Sequence, residues 1–352
     1  MKTDRKKLIS ILTAVRPGIA KKEVIEQTTS FIFTGDRVMA YNDEVCVQHP
    51  LPADVTLEGA VQAKELFALL NKLSTDEIEL EISGNELLIK GGKTKSGIKL
   101  EVASSVPEIV KVLGNLDDWA PLPELFLKGI EFCLFSTGTD MTKPILTCVC
   151  IADNFVISSD NRRLTRFDMS DTEGVSDLGL MAGEQMLIPA TSAQALKSYP
   201  VTEFTLTKGW LHFRTKDDAV FSCRDIEGLF PADKIHAILD RAEGELVKLP
   251  EGLAETLERA GIFSTADKKS GGVDHVKVSL TEGMLTVRGE GQVGWLEETS
   301  RVRYKGPEIT FDVSSDFLSA ILAHSGDMRV GENLLKFEGA NFAHVVSVLA
   351  SK

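Results

Sequence analysis

The sequence has few of the features that mark a membrane protein, a disulfide-rich secreted protein or a metalloprotein. No stretch in its 352 residues approaches the roughly 20 uninterrupted apolar residues that a transmembrane helix needs. The five cysteines are an odd number without framework spacing, which favours buried thiols over disulfides or metal ligands. The six histidines are scattered and show no metal-ligand spacing. We therefore expect no membrane span, no disulfide framework and no metal site.

An excess of positive charge is also absent. The formal net charge is −13, which argues against simple electrostatic adhesion to nucleic acid but not against a basic surface on one side. With 43% hydrophobic and 26% charged residues, the composition is that of an ordinary globular chain.

The amino terminus has a basic stretch followed by an apolar one, as signal peptides do. The apolar run at residues 8–15 is short, contains Ser10 and Thr13, and ends at Arg16 without a small-x-small cleavage site. Its apolar positions 8, 11, 12 and 15 fall at helical spacing. This pattern predicts the first amphipathic helix of a cytoplasmic protein.

The best match to a nucleotide-binding motif is the run Gly-Gly-Lys-Thr at residues 91–94. A phosphate-binding loop needs a glycine five positions before its Gly-Lys pair, where this sequence has Leu87. Residues 96–102 then alternate like a strand, although the motif needs a helix there. The run therefore predicts a hairpin turn, and an enzyme that uses Lys93 and Thr94 on a nucleotide is the least favoured alternative. Because no nucleophile elbow or serine triad is present either, we expect a non-enzyme without a cofactor.

What the sequence does contain is one layout repeated three times at intervals of roughly 125 residues. Each repeat has the pattern of helix, loop, strand pair, second helix and strand pair. The second helix with its hairpin is the clearest marker, at residues 61–90, 188–213 and 311–337. A third of the chain is about 117 residues, so each repeat is expected to be an α+β domain with two helices packed on antiparallel sheets. The predicted domains are residues 1–118, 119–244 and 245–352.

Five short runs carry a resemblance to a known family. They are Asn-Leu-Asp-Asp-Trp at residues 115–119, Lys-Pro-Ile-Leu-Thr at 143–147, Ser-Ser-Asp-Asn-Arg-Arg-Leu at 158–164, Ile-Glu-Gly-Leu-Phe-Pro at 226–231 and Leu-Glu-Arg-Ala-Gly-Ile-Phe-Ser at 257–264. Their order and spacing, together with the threefold layout, resemble the β sliding clamp, the processivity subunit of bacterial DNA polymerase III. The resemblance covers essentially the whole chain.

This resemblance implies a head-to-tail homodimer in which each protomer forms half of a closed ring, with helices around the hole and sheets outside. Duplex DNA would pass through the ring without sequence-specific contacts. A polymerase and a clamp loader would dock through short peptide motifs. The implied protein tethers the replicative polymerase for processive synthesis and performs no catalysis.

The resemblance also implies a basic lumen, which must coexist with an acidic exterior because two protomers carry twice −13, that is −26. A lysine recurs in the loop after the first helix of every repeat, which favours DNA-facing roles for the group. For any single residue, a solvated helix face explains the charge equally well. Residues 314–325 contain no Lys or Arg and carry Asp316, so the predicted lumen is not uniformly basic. The candidate DNA contacts are Arg5, Lys6, Lys22, Lys64, Lys72, Lys128, Lys143, Lys197, Arg259, Lys268 and Lys269.

A pocket for partner peptides between the second and third domains is implied as well. The chain departs from the family pattern there, because Asn161-Arg162 replace Gly-His, His236 replaces a small apolar residue and Ser347 replaces methionine. These departures predict an altered peptide preference and a divergent clamp, such as one encoded by a virus or a plasmid. The matching pocket positions are Leu146, Ser159, Asn161, Arg162, Arg163, Leu164, Pro231, Ile235, His236, Val345 and Ser347.

The closing contact of the ring is expected to place Ile98 and Leu100 of one protomer against Ile262 and Phe263 of the next. Core packing inside one chain explains these four apolar residues equally well. A second function also stays open, in which a clamp-like scaffold or decoy binds replication proteins without encircling DNA. The altered pocket and the sparse cations of the third repeat motivate that alternative.

Overall fold

The structure is a computed structural model that describes residues 1–102, 116–170, 178, 183–264 and 275–350. Residues 349 and 350 are described for their backbone alone. The described residues contain seven α-helices and 25 β-strands, in an order that repeats three times. Each repeat runs strand, helix, four strands, helix and three strands. The threefold α+β architecture expected from the sequence is therefore confirmed.

The bounds of the elements show how closely the three repeats correspond. The first repeat comprises β1 (Lys2–Asp4), α1 (Arg5–Val15), β2 (Ser30–Gly35), β3 (Arg37–Tyr41), β4 (Val45–Pro50), β5 (Leu57–Gln62), α2 (Ala63–Lys72), β6 (Glu77–Ser83), β7 (Glu86–Gly91) and β8 (Thr94–Glu101). The second comprises β9 (Ala120–Pro121), α3 (Phe126–Cys133), β10 (Cys148–Ala152), β11 (Phe155–Ser159), β12 (Arg163–Asp168), β13 (Gln185–Pro189), α4 (Ala190–Leu196), β14 (Val201–Thr207), β15 (Trp210–Thr215) and β16 (Val220–Arg224), followed by an additional helix, α5 (Ala232–Arg241). The third comprises β17 (Glu245–Lys248), α6 (Leu253–Ser264), β18 (Val276–Thr281), β19 (Met284–Gly291), β20 (Gly294–Arg301), β21 (Ile309–Val313), α7 (Ser315–Leu322), β22 (Asp327–Val330), β23 (Leu334–Glu338) and β24 (Phe342–Ser347), with a short final strand, β25 (Leu349–Ala350).

The strands form three antiparallel sheets, two of which cross the boundaries between repeats. A 12-stranded sheet has the order β1-β6-β7-β8-β5-β2-β3-β4-β16-β15-β14-β9, and the β4–β16 pair joins the first repeat to the second. An eight-stranded sheet has the order β13-β10-β11-β12-β24-β23-β22-β17, and the β12–β24 pair joins the second repeat to the third. The remaining five strands have the order β20-β19-β18-β21-β25. Continuous backbone hydrogen bonding therefore links successive repeats.

The chain divides into two compact units, and the division passes through the second repeat. The first unit is built mainly from Met1–Leu127 and Ile188–Glu227, and the second mainly from Lys128–Ser170 and Gly228–Lys352. Because two sheets cross the repeat boundaries, the boundaries of the compact units do not coincide with those of the sequence repeats. The three predicted domain ranges remain a prediction.

Helix α1 shows how local sequence starts an element and fixes its buried face. Asp4 caps the helix, since its carboxylate accepts a hydrogen bond from the Lys7 backbone N–H at 2.9 Å. Such a cap contributes about 1 kcal/mol to helix stability. The buried side chains are Leu8, Ile11, Leu12 and Val15, the positions that the helical spacing predicted.

The Gly-Gly-Lys-Thr run lies in a hairpin, as the sequence predicted, and not in a phosphate-binding loop. Gly91 of β7 pairs with Thr94 of β8 across a two-residue turn. Gly92 adopts a φ of +59°, a conformation that side chains with a Cβ disfavour, so glycine suits the first turn position.

All five cysteines are buried, so the prediction of buried thiols is confirmed. Burial raises the pKa of Cys46 and Cys133, because their thiolate forms would lose hydration. Such thiols are unreactive. None of the helices that the structure describes is long and apolar enough to cross a membrane.

Candidate functional site

Two predicted DNA contacts on α1 are engaged with neighbouring protein groups. Arg5 donates from Nε to the Thr75 carbonyl at 2.7 Å and from Nη1 to the Leu70 carbonyl at 2.9 Å. Its charge therefore stabilises the carboxyl-terminal end of α2, where carbonyl groups point outward. Lys6 forms an exposed ion pair with Asp76 at 2.9 Å, and its hydrogen bond lowers the pKa of that carboxyl.

A cation-lined cavity of about 630 Å³ brings two other predicted contacts together. Lys22 and Lys64 both line it, and Arg16 and Lys21 add two further positive charges. The Arg16 guanidinium lies 4.8 Å from the centre of the Phe67 ring, a cation–π distance. We call Arg16, Lys21, Lys22 and Lys64 the basic cluster. Sequence reasoning missed Arg16, although its position at the end of the first helix was a signal.

Glutamates moderate the charge of this cavity. Glu23 and Glu65 also line it. The Glu23 carboxylate accepts a hydrogen bond from the Gln27 backbone N–H at 2.6 Å, which orders the loop before β2. The four cations outnumber these two anions, so the cavity has a positive balance suited to phosphate.

The remaining predicted DNA contacts are dispersed. Lys72 and Lys128 are exposed on α2 and α3, and Lys197 is half-buried. Arg259 of α6 is paired with Glu298 of β20 through two short hydrogen bonds, at 2.6 and 2.8 Å, and this pairing raises the pKa of Arg259. Its charge is therefore largely compensated. Lys268 and Lys269 lie outside the described residues.

Four predicted pocket residues line a groove of about 730 Å³ in the second unit. They are Leu146, Asn161, Arg162 and Arg163, and the predicted DNA contact Lys143 lines the same groove.

The turn between β11 and β12 builds one wall of this groove. The Asp160 carboxylate accepts hydrogen bonds from the backbone N–H groups of Arg162 and Arg163, at 2.9 and 2.8 Å. It also forms an ion pair with the Arg163 guanidinium at 2.8 Å, where only about a tenth of either side chain is exposed. The Arg163 guanidinium lies 3.8 Å from the centre of the Phe317 ring. Arg163 is therefore fixed in place, while Arg162 remains exposed.

Three other predicted pocket residues form a row across neighbouring strands. Ser159 of β11 pairs with Leu164 of β12, which in turn pairs with Val345 of β24. Leu164 and Arg163 are consecutive in a strand, so their side chains point to opposite faces of the sheet. The predicted pocket residues are thus divided between two faces, a division that the period of a strand could have indicated from the sequence.

Helix α5 is fixed against the face that carries Leu164. Arg166, two residues beyond Leu164, donates to His236 Nδ1 at 2.9 Å and to the Asp240 carboxylate at 2.9 Å. Burial, followed by the charge of Arg166, lowers the pKa of His236, which keeps the ring neutral as an acceptor. Ile235 is buried on the same helix, whereas Pro231 before it is exposed. Ser347 is exposed at the end of β24, and its N–H donates to the Arg162 carbonyl at 2.8 Å.

The two elements expected to close a ring both present backbone that pairs with no other strand in the described part of the chain. In β8, residues 94–99 pair with β7 on one side, and only Leu100 and Glu101 pair with β5 on the other side. Strand β20 is the edge of the five-stranded sheet and pairs with β19 alone among the described strands. Such edges are templates for pairing with another chain.

The four apolar residues predicted at the dimer contact lie beside these edges. Ile98 and Leu100 are half-buried in β8. At the end of α6, Ile262 is 65% exposed and Phe263 is half-buried. A Cβ placed on Gly294 at the start of β20 would lie 3.2 Å from the Phe263 ring, so that ring packs closely on the strand.

Comparison with solved structures assigns the fold. The DNA polymerase sliding clamp of Pseudomonas aeruginosa superposes with a TM-score of 0.83 at 16% identity, covering 100% of this chain and 99% of that chain. The chain has the β sliding clamp fold. The DNA polymerase III β subunit of Thermotoga maritima matches with a TM-score of 0.80 at 16% identity. The sliding clamp of Bartonella birtlesii bound to griselimycin matches with a TM-score of 0.82 at 16% identity. Both matches cover 100% of this chain and 99% of the other.

Sequence comparison also matches a curated β sliding clamp. The β sliding clamp of Proteus mirabilis is 24% identical over 280 residues, which cover 74% of this chain and 71% of the relative. No protein-family model matches the chain. The resemblance to the β sliding clamp that the sequence suggested is confirmed.

Proposed function

We propose that this protein is a DNA sliding clamp that encircles duplex DNA as a head-to-tail homodimer and tethers a replicative DNA polymerase for processive synthesis. One observation carries the proposal: the match to the P. aeruginosa sliding clamp extends over 100% of the chain with a TM-score of 0.83. A scaffold or decoy that never encircled DNA would not need two edges, on β8 and β20, that no other described strand covers, in addition to the clamp fold.

Topology, not adhesion, would hold such a ring on DNA. Each phosphate contact releases counterions, so affinity falls with salt with a slope of about −0.9 per contact. A chain of net charge −13 cannot compensate for this loss with a few screened lysines. A closed ring remains because leaving requires an interface to open, and it slides because phosphate contacts do not depend on base sequence.

The basic cluster is the surface that we propose lies closest to the DNA. Its four side chains are exposed, and no ion pair holds any of them among the described residues. Arg5 and Arg259 are instead engaged with the Leu70 carbonyl and with Glu298. We therefore assign a mainly structural role to those two arginines and a DNA-facing role to the cluster, with Lys72, Lys128, Lys143 and Lys197 as weaker contributors.

The peptide pocket that we propose contains the Ser159–Leu164–Val345 row, covered at one end by α5, with Arg162 in the turn that joins β11 and β12. Short motifs from the polymerase and the clamp loader would bind there, with an apolar anchor on the half-buried Leu164 above the buried Val345. Arg162 supplies an exposed positive charge at the rim. The acidic side chains of a partner peptide would pair with it.

Ring closure would use the edges of β8 and β20, with Ile98 and Leu100 facing Ile262 and Phe263 of the partner. This heterologous contact closes after two protomers. We further propose that the clamp acts in the cytoplasm, has no catalytic step and needs no cofactor.

Retention on circular DNA tests the proposal. Protein that has been assembled on nicked circular duplex is separated from free protein by gel filtration, before and after a restriction enzyme cuts the circle. A clamp stays with the circle and leaves the linear product. Equal retention on both forms, or a chain that sediments as a monomer at micromolar concentration, would instead support the scaffold.

A further inference from the structure

Trp295 on the free edge of β20 is the most exposed of the three tryptophans. Its side chain is 59% exposed, and the neighbouring Val293 is 81% exposed. Trp210, by contrast, is only 6% exposed, and Trp119 is half-buried beneath the Arg214 guanidinium, 4.3 Å from its ring. A tryptophan next to an unpaired strand edge is a strong candidate for an interface anchor.

The ring of Trp295 is already held in place on the solvent face of the sheet. The Arg288 guanidinium of β19 lies 4.9 Å from the ring centre. Arg288 is itself fixed by ion pairs with Glu290 at 2.9 Å and Glu297 at 3.2 Å. Because these partners limit its motion, the ring would lose little conformational freedom on binding.

The free edge of β8 has a matching gap. Its solvent face carries Lys95, Gly97 and Lys99, all exposed. Gly97 pairs with Leu88 of β7, and a Cβ placed on Gly97 would lie 3.2 Å from the Glu86 carboxylate and 3.3 Å from the Leu88 side chain. The glycine therefore leaves a shallow site between two lysines, with the half-buried Leu88 below it and the Glu86 carboxylate at its border.

We propose that Trp295 of one protomer occupies this site over Gly97 and Leu88 of a second protomer, as an anchor of the ring-closing contact. The occupant is thus a second copy of this chain, and the inference rests on the proposed ring function. When two edge strands pair, the outward side chains of both lie on the same face and contact each other across the junction. The solvent face of β20 can therefore reach that of β8.

Charge complementarity favours a second copy over another partner. The site on β8 is flanked by Lys95 and by Lys99, which already pairs with Glu101 at 2.7 Å, whereas the row on β20 presents Glu297 beside Trp295. The Lys95 ammonium near the indole would add a cation–π contact, and Glu297 would pair with Lys95 in addition to its ion pair with Arg288. The Gly97 position accommodates the ring because it has no side chain of its own.

Tryptophan fluorescence tests the burial of this ring. The emission of Trp295 is obtained as the difference between the wild type and Trp295→Phe, while the protein is diluted from micromolar to low nanomolar concentration. Sedimentation follows the dimer over the same range. We expect the Trp295 emission to shift to longer wavelength on dilution. The midpoint of this shift should coincide with the midpoint of dimer dissociation measured by sedimentation. A dimer whose Trp295 emission stays that of an exposed indole would overturn the inference and leave the ring proposal intact. Absence of a dimer throughout would overturn the proposed function itself.

A double-mutant cycle tests the partner residue. Trp295→Ala is expected to raise the dimer dissociation constant by about 30-fold or more, the effect of an interface hot spot. Gly97→Val should weaken the wild-type dimer by filling the site, yet have little further effect once Trp295 is removed. Met284→Ala is the matched control, because Met284 is 40% exposed on the same sheet face but lies on β19, away from the edge. Additive effects of the two changes, with melting temperatures unchanged, would contradict the contact with Gly97.

Discussion

Thr165 of β12 and His344 of β24 are directly opposed in the strand pair that joins the second and third repeats, and Thr165 Oγ1 lies 2.8 Å from His344 Nδ1. The Ser136 hydroxyl extends this contact on the other side of Thr165. The imidazole is fully buried, and the rings of Phe135 and Phe337 lie beside it. A buried polar contact thus joins the two repeats at the centre of this strand pair.

We predict that His344 makes the second unit less stable in acid. Burial lowers the pKa of His344 from 6.5 to about 3. Below pH 6.5 the unfolded chain binds a proton that the folded chain excludes, so the free energy of unfolding falls as the pH drops from 6.5 towards 3. The slope from this group is about 1.4 kcal/mol per pH unit, and above pH 6.5 the group contributes none. Urea unfolding at several pH values between 7 and 4 measures the slope of the unfolding free energy against pH.

Two histidine variants separate this effect from the titration of carboxylates. His344→Gln should have a shallower pH dependence than the wild type, whereas His275→Gln, at a half-buried site before β18, should keep the wild-type slope. A His344→Gln protein with an unchanged slope would show that the buried imidazole is not responsible.

We predict that Arg5 and Lys64 affect different properties. Arg5→Ala should lower the free energy of unfolding by about 1.5–3 kcal/mol, the range for hydrogen bonds that involve a charged group, because two carbonyl partners are lost. Lys64→Ala removes an exposed side chain and should change stability by less than about 0.5 kcal/mol. In binding to a short linear duplex, Lys64→Ala should reduce the salt slope by about 0.9. Thermal melts and salt titrations of both variants give the comparison, and a stability loss for Lys64→Ala without a changed salt slope would reverse the assignment.

We predict that the Leu164 face sets the affinity for partner peptides. Leu164→Ser should weaken binding of a fluorescent peptide from the cognate polymerase about tenfold or more, since an apolar anchor site becomes polar. Ser347→Met should strengthen it several-fold by adding apolar area at the exposed end of β24. Leu206→Ser, at a leucine 45% exposed in the other unit, is the control. Fluorescence anisotropy measures all three, and equal losses for Leu164→Ser and Leu206→Ser would argue against this pocket.

The repeat layout could be predicted from the sequence because it depends on local periodicity. The buried positions of α1 and the hairpin that contains Lys93 follow from spacing and turn chemistry within a few residues. Helix α5 was missed because the layout predicted from the sequence ends each repeat with a strand pair.

Side-chain partnerships could not be predicted in the same way, because they depend on which strand or helix lies alongside. The hydrogen bonds of Arg5 to Leu70 and of Arg259 to Glu298 join residues 65 and 39 positions apart. No local pattern distinguishes these arginines from the exposed Lys64. The assignment of charged residues to DNA therefore requires the tertiary structure, whereas the repeat layout could be predicted from the sequence alone.

Encirclement of DNA by two protomers is the central claim, and covalent closure of the ring tests it most directly. All five native cysteines are buried, so Thr94→Cys on β8 and Thr299→Cys on β20, both at exposed positions, provide selective cross-linking sites. Protein with both substitutions is assembled on nicked circular DNA, treated with a flexible bismaleimide and denatured in SDS. We predict that cross-linked dimers stay with the circle through denaturation and are released when a restriction enzyme linearises it. Complete loss of cross-linked dimers from intact circles in SDS would contradict the ring.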